Sequence, residues 1–208
     1  MPLITVVIPT IKGREADYER CVDAYKRTID DGQIVTVRDM PTCGEAWNEG
    51  AKQATGDYLH LTCDDLEPHD GWWQPAIEAV RRGYLPAPRV VNANGVLDSC
   101  GLHGVELPDK AIVQMSVIPF MSAEQWAKIG PTLPVHYFSD NWLSWRGAQE
   151  GYPTVVRRQY SFTHHWAQPG RGAGMTYQQR MEHDQAIYLS AVDKGWRADH
   201  DAQLADHH

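Results

Sequence analysis

The sequence predicts an α/β fold of the Rossmann-like kind, with a mostly parallel central sheet and flanking helices. Three observations predict it. Short β-branched runs alternate with helical stretches over the first 62 residues; two positions carry the spacing of a helix capping box; and the early strands end on polar residues. Strand, helix, strand, helix, strand in that order needs crossover connections, which are right-handed and place the strands parallel.

The first run, Leu3-Ile-Thr-Val-Val-Ile8, is apolar on both faces and is followed by Pro9, as expected of a buried parallel strand. A polar stretch from Glu15 to Ile29 carries Tyr18, Val22 and Tyr25 on one helical face and breaks at Asp30-Asp31-Gly32. Ile34-Val-Thr-Val37 is a second strand ending at Asp39. Thr42 and Glu45 have capping-box spacing, and the helix they open bears Ala46, Trp47, Gly50, Ala51 and Ala54 before Gly56. Tyr58-Leu-His-Leu-Thr62 is the third strand and runs directly into Cys63-Asp64-Asp65.

A Trp-rich helix follows Asp70 and reaches Arg82. Arg89–Ala93, Asn94-Gly95 and Val96-Leu97 read as strand, turn and strand. Ile112 to Ile118 alternates as a further strand. Ser122 and Gln125 form a second capping box, for a helix closed by Gly130-Pro131. Ser139 is expected to cap a helix carrying Trp142, Leu143 and Trp145 and ending at Gly151. Thr154-Val-Val156 is the last strand; Gly170, Gly172 and Gly174 mark a loop; Tyr177 to Lys194 closes the chain as a helix.

The 208 residues, 42% of them hydrophobic, suffice for one sizeable core. A net charge of −8, from 19 basic and 27 acidic residues, argues against a nucleic-acid scaffold. It permits a diphosphate ligand if a divalent cation stands between the two sets of oxygens. No run is apolar enough to span a bilayer, and Leu3 to Pro9 is too short for a signal peptide, so a cytoplasmic location is expected. Cys21, Cys43, Cys63 and Cys100 form no CxxC pair, which favours free thiols over zinc or redox motifs.

Open α/β sheets bind ligands beyond the carboxyl ends of their strands. Pro9-Thr10, Asp39 and Asp64-Asp65 fall at such ends. Two adjacent carboxylates repel unless something positive joins them, and a hard divalent ion is a natural partner. A turn or helix-capping pair of aspartates is the alternative.

Order and spacing add a resemblance. Gly44-Glu-Ala-Trp-Asn48, Gly50, Ala54-Thr-Gly-Asp-Tyr-Leu59 and Cys63-Asp64-Asp65 resemble the family 2 glycosyltransferases, in which an Asn-x-Gly helix and an Ala-x-Gly-Asp-Tyr segment lead to a strand and a DxD. Ile4-Thr-Val-Val-Ile-Pro-Thr10 is similar to the family's opening strand. Tyr137-Phe-Ser-Asp140-Asn-Trp-Leu143-Ser-Trp-Arg146 through Gly151-Tyr152 resembles its Glu-Asp-x-x-Leu-x-x-Arg helix, and His164-His165 its His motif.

The resemblance implies a GT-A fold in one domain: a nucleotide-binding half over 1–93, an acceptor half over 94–170, and a loop with the C-terminal helix over 171–208. It implies an inverting transfer from a nucleotide-sugar donor, a UDP-sugar favoured, to an acceptor hydroxyl, assisted by Mn2+ or Mg2+. Pro9, Thr10, Asp39, Asn48, Asp64 and Arg171 would hold the donor, Asp65 and His164 or His165 the metal, and Asp140 would be the general base. Two positions depart from the pattern: Cys63 stands for the first Asp of the DxD, and Ser139 for the Glu before the base. A nucleotidyltransferase and an inactive sugar- or nucleotide-binding protein remain the alternatives. The first needs a Gly-rich basic loop, of which Lys12-Gly13-Arg14 is a short version. No GxGxxG follows the first strand, which disfavours a dinucleotide oxidoreductase.

Overall fold

A computed structural model of the chain describes residues 3–29, 31–96, 104–106, 112–114, 117–165 and 175–205. Strand β1 (Ile4–Thr10) is the centre of a four-stranded sheet. It pairs in parallel with β2 (Gly32–Arg38) on one side and β3 (Tyr58–Leu61) on the other. The helices between them are α1 (Glu15–Thr28) and α2 (Cys43–Lys52). Thr42 caps α2 by accepting the Glu45 N–H at 3.1 Å, while the Glu45 carboxylate accepts the Thr42 hydroxyl at 2.9 Å and not the Thr42 N–H that a full capping box requires.

Side chains alternate across a strand, and β1 uses both faces. Ile4, Val6 and Ile8 enter one core with Cys21, Val22 and Tyr25 of α1 and with Trp72, Ile77 and Val80. Val7 points the other way and meets Ala46 and Trp47 of α2, with Val35, Val37, Leu59 and Leu61. Each such fully buried aliphatic side chain stabilises the fold by roughly 1.5–3 kcal/mol. A slip of one residue would exchange the two sets, so the register of β1 is fixed from both sides.

The sheet ends differently from the sequence expectation. Its fourth strand is β8 (Phe120–Ser122), antiparallel to β3; of the run expected as a strand over 112–118, Ile112–Gln114 is strand, 117–118 is a bend, and 115–116 lie outside the described residues. Ile112–Gln114 (β7) pairs instead with Gly104–Glu106 (β6) as a two-stranded ribbon. Ser122 then opens α4 (Ala123–Ile129) with a complete capping box to Gln125.

A second sheet has β9 (Thr154–His164) at its centre, β5 (Leu85–Asn92) parallel on one edge and β4 (Leu66–Pro68) antiparallel on the other. β9 is far longer than the three residues expected, because polar Arg157-Arg158-Gln159 conceals its continuity. The β5–β9 register shifts between Ala87 and Arg89, at Pro88, which has no N–H to give a ladder. Helix α3 (Trp73–Arg81) lies between β4 and β5 in the chain. The expected turn after Asn92 is present, with Asn92 N–H donating to Val96 O at 2.8 Å, while Leu97 lies outside the described residues.

Helix α5 (Ser139–Gln149) starts in another way than expected. Phe138, with φ +69°, occupies the cap position, and the Ser139 hydroxyl donates back to Val135 O at 2.8 Å. Helix α6 (Tyr177–Ala205) extends beyond Lys194 and packs Tyr188 and Val192 against Trp145. Trp145 is therefore a core residue, with Trp142 stacked on it at 5.1 Å. Among the described residues no helix is long and apolar enough to cross a membrane.

Candidate functional site

Three strand ends meet above the first sheet. Parallel pairing sets Thr10 opposite Arg38 at the carboxyl ends of β1 and β2, and carries β3 beyond Leu61 toward the acidic pair. The Thr10 hydroxyl donates to Asp64 Oδ2 at 2.7 Å, so the end of β1 anchors the first aspartate directly. Asp39 sits at φ +55°; its N–H donates to Thr10 O at 3.0 Å, and its carboxylate accepts the Lys12 N–H at 2.9 Å. Pro9 lies inside β1, opposite Val37.

The charge that joins the two aspartates belongs to the protein. Arg14 Nη2 is 2.6 Å from Asp64 Oδ1 and 3.1 Å from Asp65 Oδ2. Both carboxylates are nearly sealed, at 5% and 8% exposure. Burial lowers the Arg14 pKa, but Asp64 and Asp65 outweigh it and hold the guanidinium above its ordinary value. Burial pushes Asp64 up, against the Thr10 hydrogen bond and Arg14. Asp65 also suffers burial, yet His164 and Arg14 hold it below the usual carboxylate value. The sequence expectation names Arg14 only within the short basic turn Lys12-Gly13-Arg14 just after β1, not as a partner of the aspartates.

The second sheet delivers the histidine. β4 follows Asp65 at once, and its register places Leu66 opposite His164. His164 Nε2 then lies 3.4 Å from Asp65 Oδ2. His165, next along the extended chain, turns away: its Nε2 meets Glu67 Oε2 at 2.9 Å, and only its backbone N–H reaches Asp65 O. Of the two histidines, only the His164 ring faces the acidic pair. Asn48, expected at the donor, makes two hydrogen bonds within the protein. Its amide donates to Thr132 O and accepts the Thr132 N–H, both at 2.9 Å, so it ties α2 to the segment after α4. Arg171 lies outside the described residues, as does the Gly170–Gly174 loop.

Cys63, half-buried in the first DxD position, is hydrogen-bonded to Cys43, and that bond with desolvation holds its thiol well above the ordinary value. It offers no thiolate near neutrality. Cys43 begins α2, and the next N–H, of Gly44, donates to Val135 O at 2.9 Å. A Cβ at Gly44 would collide with Leu133 O, so only glycine lets the start of α2 approach this segment so closely. The start of α2 therefore adjoins the acidic pair on one side and the approach to α5 on the other.

Asp140 stands on that approach. Among the described residues it makes no ion pair; its carboxylate accepts the Asn141 N–H at 2.9 Å. Burial raises its pKa to about 6, against the pull of its own and the Asn141 N–H groups. Burial lowers the pKa of His136, four residues earlier, with smaller contributions from the charges of Arg180 and Arg14. Asp184 on α6, 1% exposed, accepts the N–H groups of His136 and Tyr137 and so fixes the turn before α5. Asp184 was also missed, though it shares the i, i+4, i+8 stripe of Tyr188 and Val192.

No protein-family model matches the sequence, and no curated protein matches it. Solved structures do. The mannosyltransferase PcManGT from Pyrobaculum calidifontis, in complex with GDP-Man and Mn2+, superposes with a TM-score of 0.59 at 14% identity, over 81% of this chain and 58% of its own. S. aureus TarS superposes at 0.55 and 10%, over 79% and 37%. GalNAc-T7 with UDP, GalNAc and Mn2+ superposes at 0.55 and 12%, over 82% and 45%. The chain has the GT-A glycosyltransferase fold. It spans between about a third and three fifths of the length of these GT-A chains.

In that GT-A frame, the donor atoms suit a divalent ion in part. A carboxylate oxygen of Asp65 and an imidazole nitrogen of His164 are the ligand types Mn2+ accepts. Among the described residues no three His, Cys, Asp or Glu side chains converge as a ready ligand set. A bound ion would draw its remaining ligands from a phosphate ligand and water, as Mg2+ does in phosphate sites. Arg14 marks the spot as one that takes positive charge.

Proposed function

We propose that this chain is a glycosyltransferase that moves a sugar from a nucleotide-sugar donor to an acceptor hydroxyl, with a divalent cation, Mn2+ or Mg2+, at Asp65 and His164. The observation that carries this reading is the cluster at the ends of β1 and β3. Thr10, Asp64, Asp65, Arg14 and His164 are joined there within hydrogen-bonding and ion-pair distances. It lies where open α/β sheets bind nucleotides, in a fold whose similar structures hold GDP-Man or UDP with Mn2+.

Pro9, Thr10 and Asp39 face the nucleotide in this reading, with Asp39 on base or ribose and Asp64 on ribose. When bound, the cation neutralises negative charge on the departing diphosphate. The chain's own step belongs to Asp140. With a pKa of about 6 its carboxylate is ionised near neutrality and basic enough to take a proton. It removes the hydroxyl proton as the acceptor oxygen bonds to the anomeric carbon; the bond from that carbon to the phosphate oxygen breaks, and the electron pair leaves with the nucleoside diphosphate. A single displacement of this kind inverts the anomeric centre.

The test is release of nucleoside diphosphate from a panel of UDP- and GDP-sugars with mixed sugar acceptors and Mn2+. Turnover is expected for the wild type, and a loss of roughly a hundredfold or more for Asp140→Asn with donor affinity retained. Near-normal turnover by Asp140→Asn removes the base from the account; no turnover with any donor leaves the transferase reading without support.

A further inference from the structure

Asp65 Oδ2 is claimed twice. The same oxygen lies 3.1 Å from Arg14 Nη2 and 3.4 Å from His164 Nε2. A cation bound to Asp65 and His164 at ligand distances of about 2.0–2.2 Å would press against the guanidinium nitrogen, and two positive centres there repel strongly in a nearly dry site. One must yield.

A single guanidinium nitrogen, Nη2, carries the contacts to both carboxylates. Arg14 Nε is buried and has no hydrogen-bond partner among the described residues. A buried donor without a partner is costly, so the arginine gains from leaving once another cation balances the carboxylates. Its backbone allows this. Arg14 precedes α1, after Gly13 at φ +90°, and α1 starts without a side-chain cap from it. The side chain can swing out without unwinding the helix.

We propose that Arg14 is the resident counter-cation of Asp64 and Asp65, and that a divalent ion enters only by displacing it. Arg14 thereby sets the metal affinity of the site and keeps the acidic pair compensated when no metal is bound. The proposal rests on the reading of Asp65 and His164 as a cation site, and it is independent of glycosyl transfer.

The experiment uses Mn2+ alone, with no nucleotide, titrated into wild type, Arg14→Gln and Arg14→Lys, with free Mn2+ followed by electron paramagnetic resonance. Arg14→Gln is expected to bind Mn2+ roughly tenfold tighter than wild type or more, and Arg14→Lys, which keeps the charge, to stay within about threefold of wild type. Equal or weaker binding by Arg14→Gln, no binding by any of the three, or Lys and Gln variants that bind alike would each overturn the proposal. Should Arg14→Gln not fold, the Arg14 Nε–H resonance of the wild type decides: saturating Mg2+ must move it, and an unmoved resonance sinks the idea. Tighter Mn2+ binding by Arg14→Gln without any sugar transfer would sustain this proposal while removing the transferase reading.

Discussion

One oxygen of Asp184, Oδ2, accepts the backbone N–H of His136 at 2.9 Å and that of Tyr137 at 3.0 Å. The C-terminal helix thus grips the strained turn that ends at Phe138 and opens the helix bearing Asp140. Asp184→Ala removes a charged acceptor from two backbone donors and is expected to cost about 3 kcal/mol in urea unfolding. Asp184→Asn keeps one oxygen and should recover more than half of that loss. If the turn positions the base, Asp184→Asn also lowers kcat while the donor KM stays close to wild type.

Asp140 supplies a pH signature. Its folded pKa of about 6 means that the carboxylate protonates as pH falls through that value. Transfer should therefore decline below about pH 6 with a slope approaching tenfold per unit, and level off above it. A rate that is flat between pH 5 and about 7 would not suit an Asp140 base.

His60 governs acid stability. It is fully buried among Tyr25, Trp72, Phe120 and Phe162, accepting or donating to Tyr25 Oη at 2.8 Å. Burial pushes its pKa down to about 3. Because the unfolded chain takes up a proton near the ordinary histidine value, stability is complete above about pH 6.5 and is lost as pH falls below it. At pH 5 the loss from this one residue is about 2 kcal/mol. Denaturant midpoints from pH 7 to about 5 should fall steeply for wild type and less for His60→Phe, which cannot protonate.

The sequence makes the first half of the fold legible because each β-branched run and each cap acts locally. Thr42–Glu45 and Ser122–Gln125 open helices where their spacing says. Pairing partners far apart in the chain leave no such mark. β4 holds only three residues, and β9 hides behind Arg157-Arg158-Gln159, yet their register alone places His164 beside Asp65. For the same reason the sequence cannot choose between His164 and His165, which one residue of strand sends to opposite partners. The pairing of Arg14 with the aspartates is hidden on different grounds. A need for positive charge beside two aspartates is evident from sequence, but whether an ion or a side chain meets it is settled only by where the β1–α1 turn sends its arginine. The hydrogen bonds of Asn48 to Thr132, a pairing across 84 residues, leave no mark in the sequence.

The most direct measurement is calorimetric titration of nucleotide sugars into wild type and Asp65→Asn with Mn2+ present. If the ends of β1 and β3 cradle a donor diphosphate, one nucleotide class binds the wild type, and Asp65→Asn weakens it roughly tenfold or more while still folding. Equal affinity in the two proteins, or heat from neither with every nucleotide, would contradict the account.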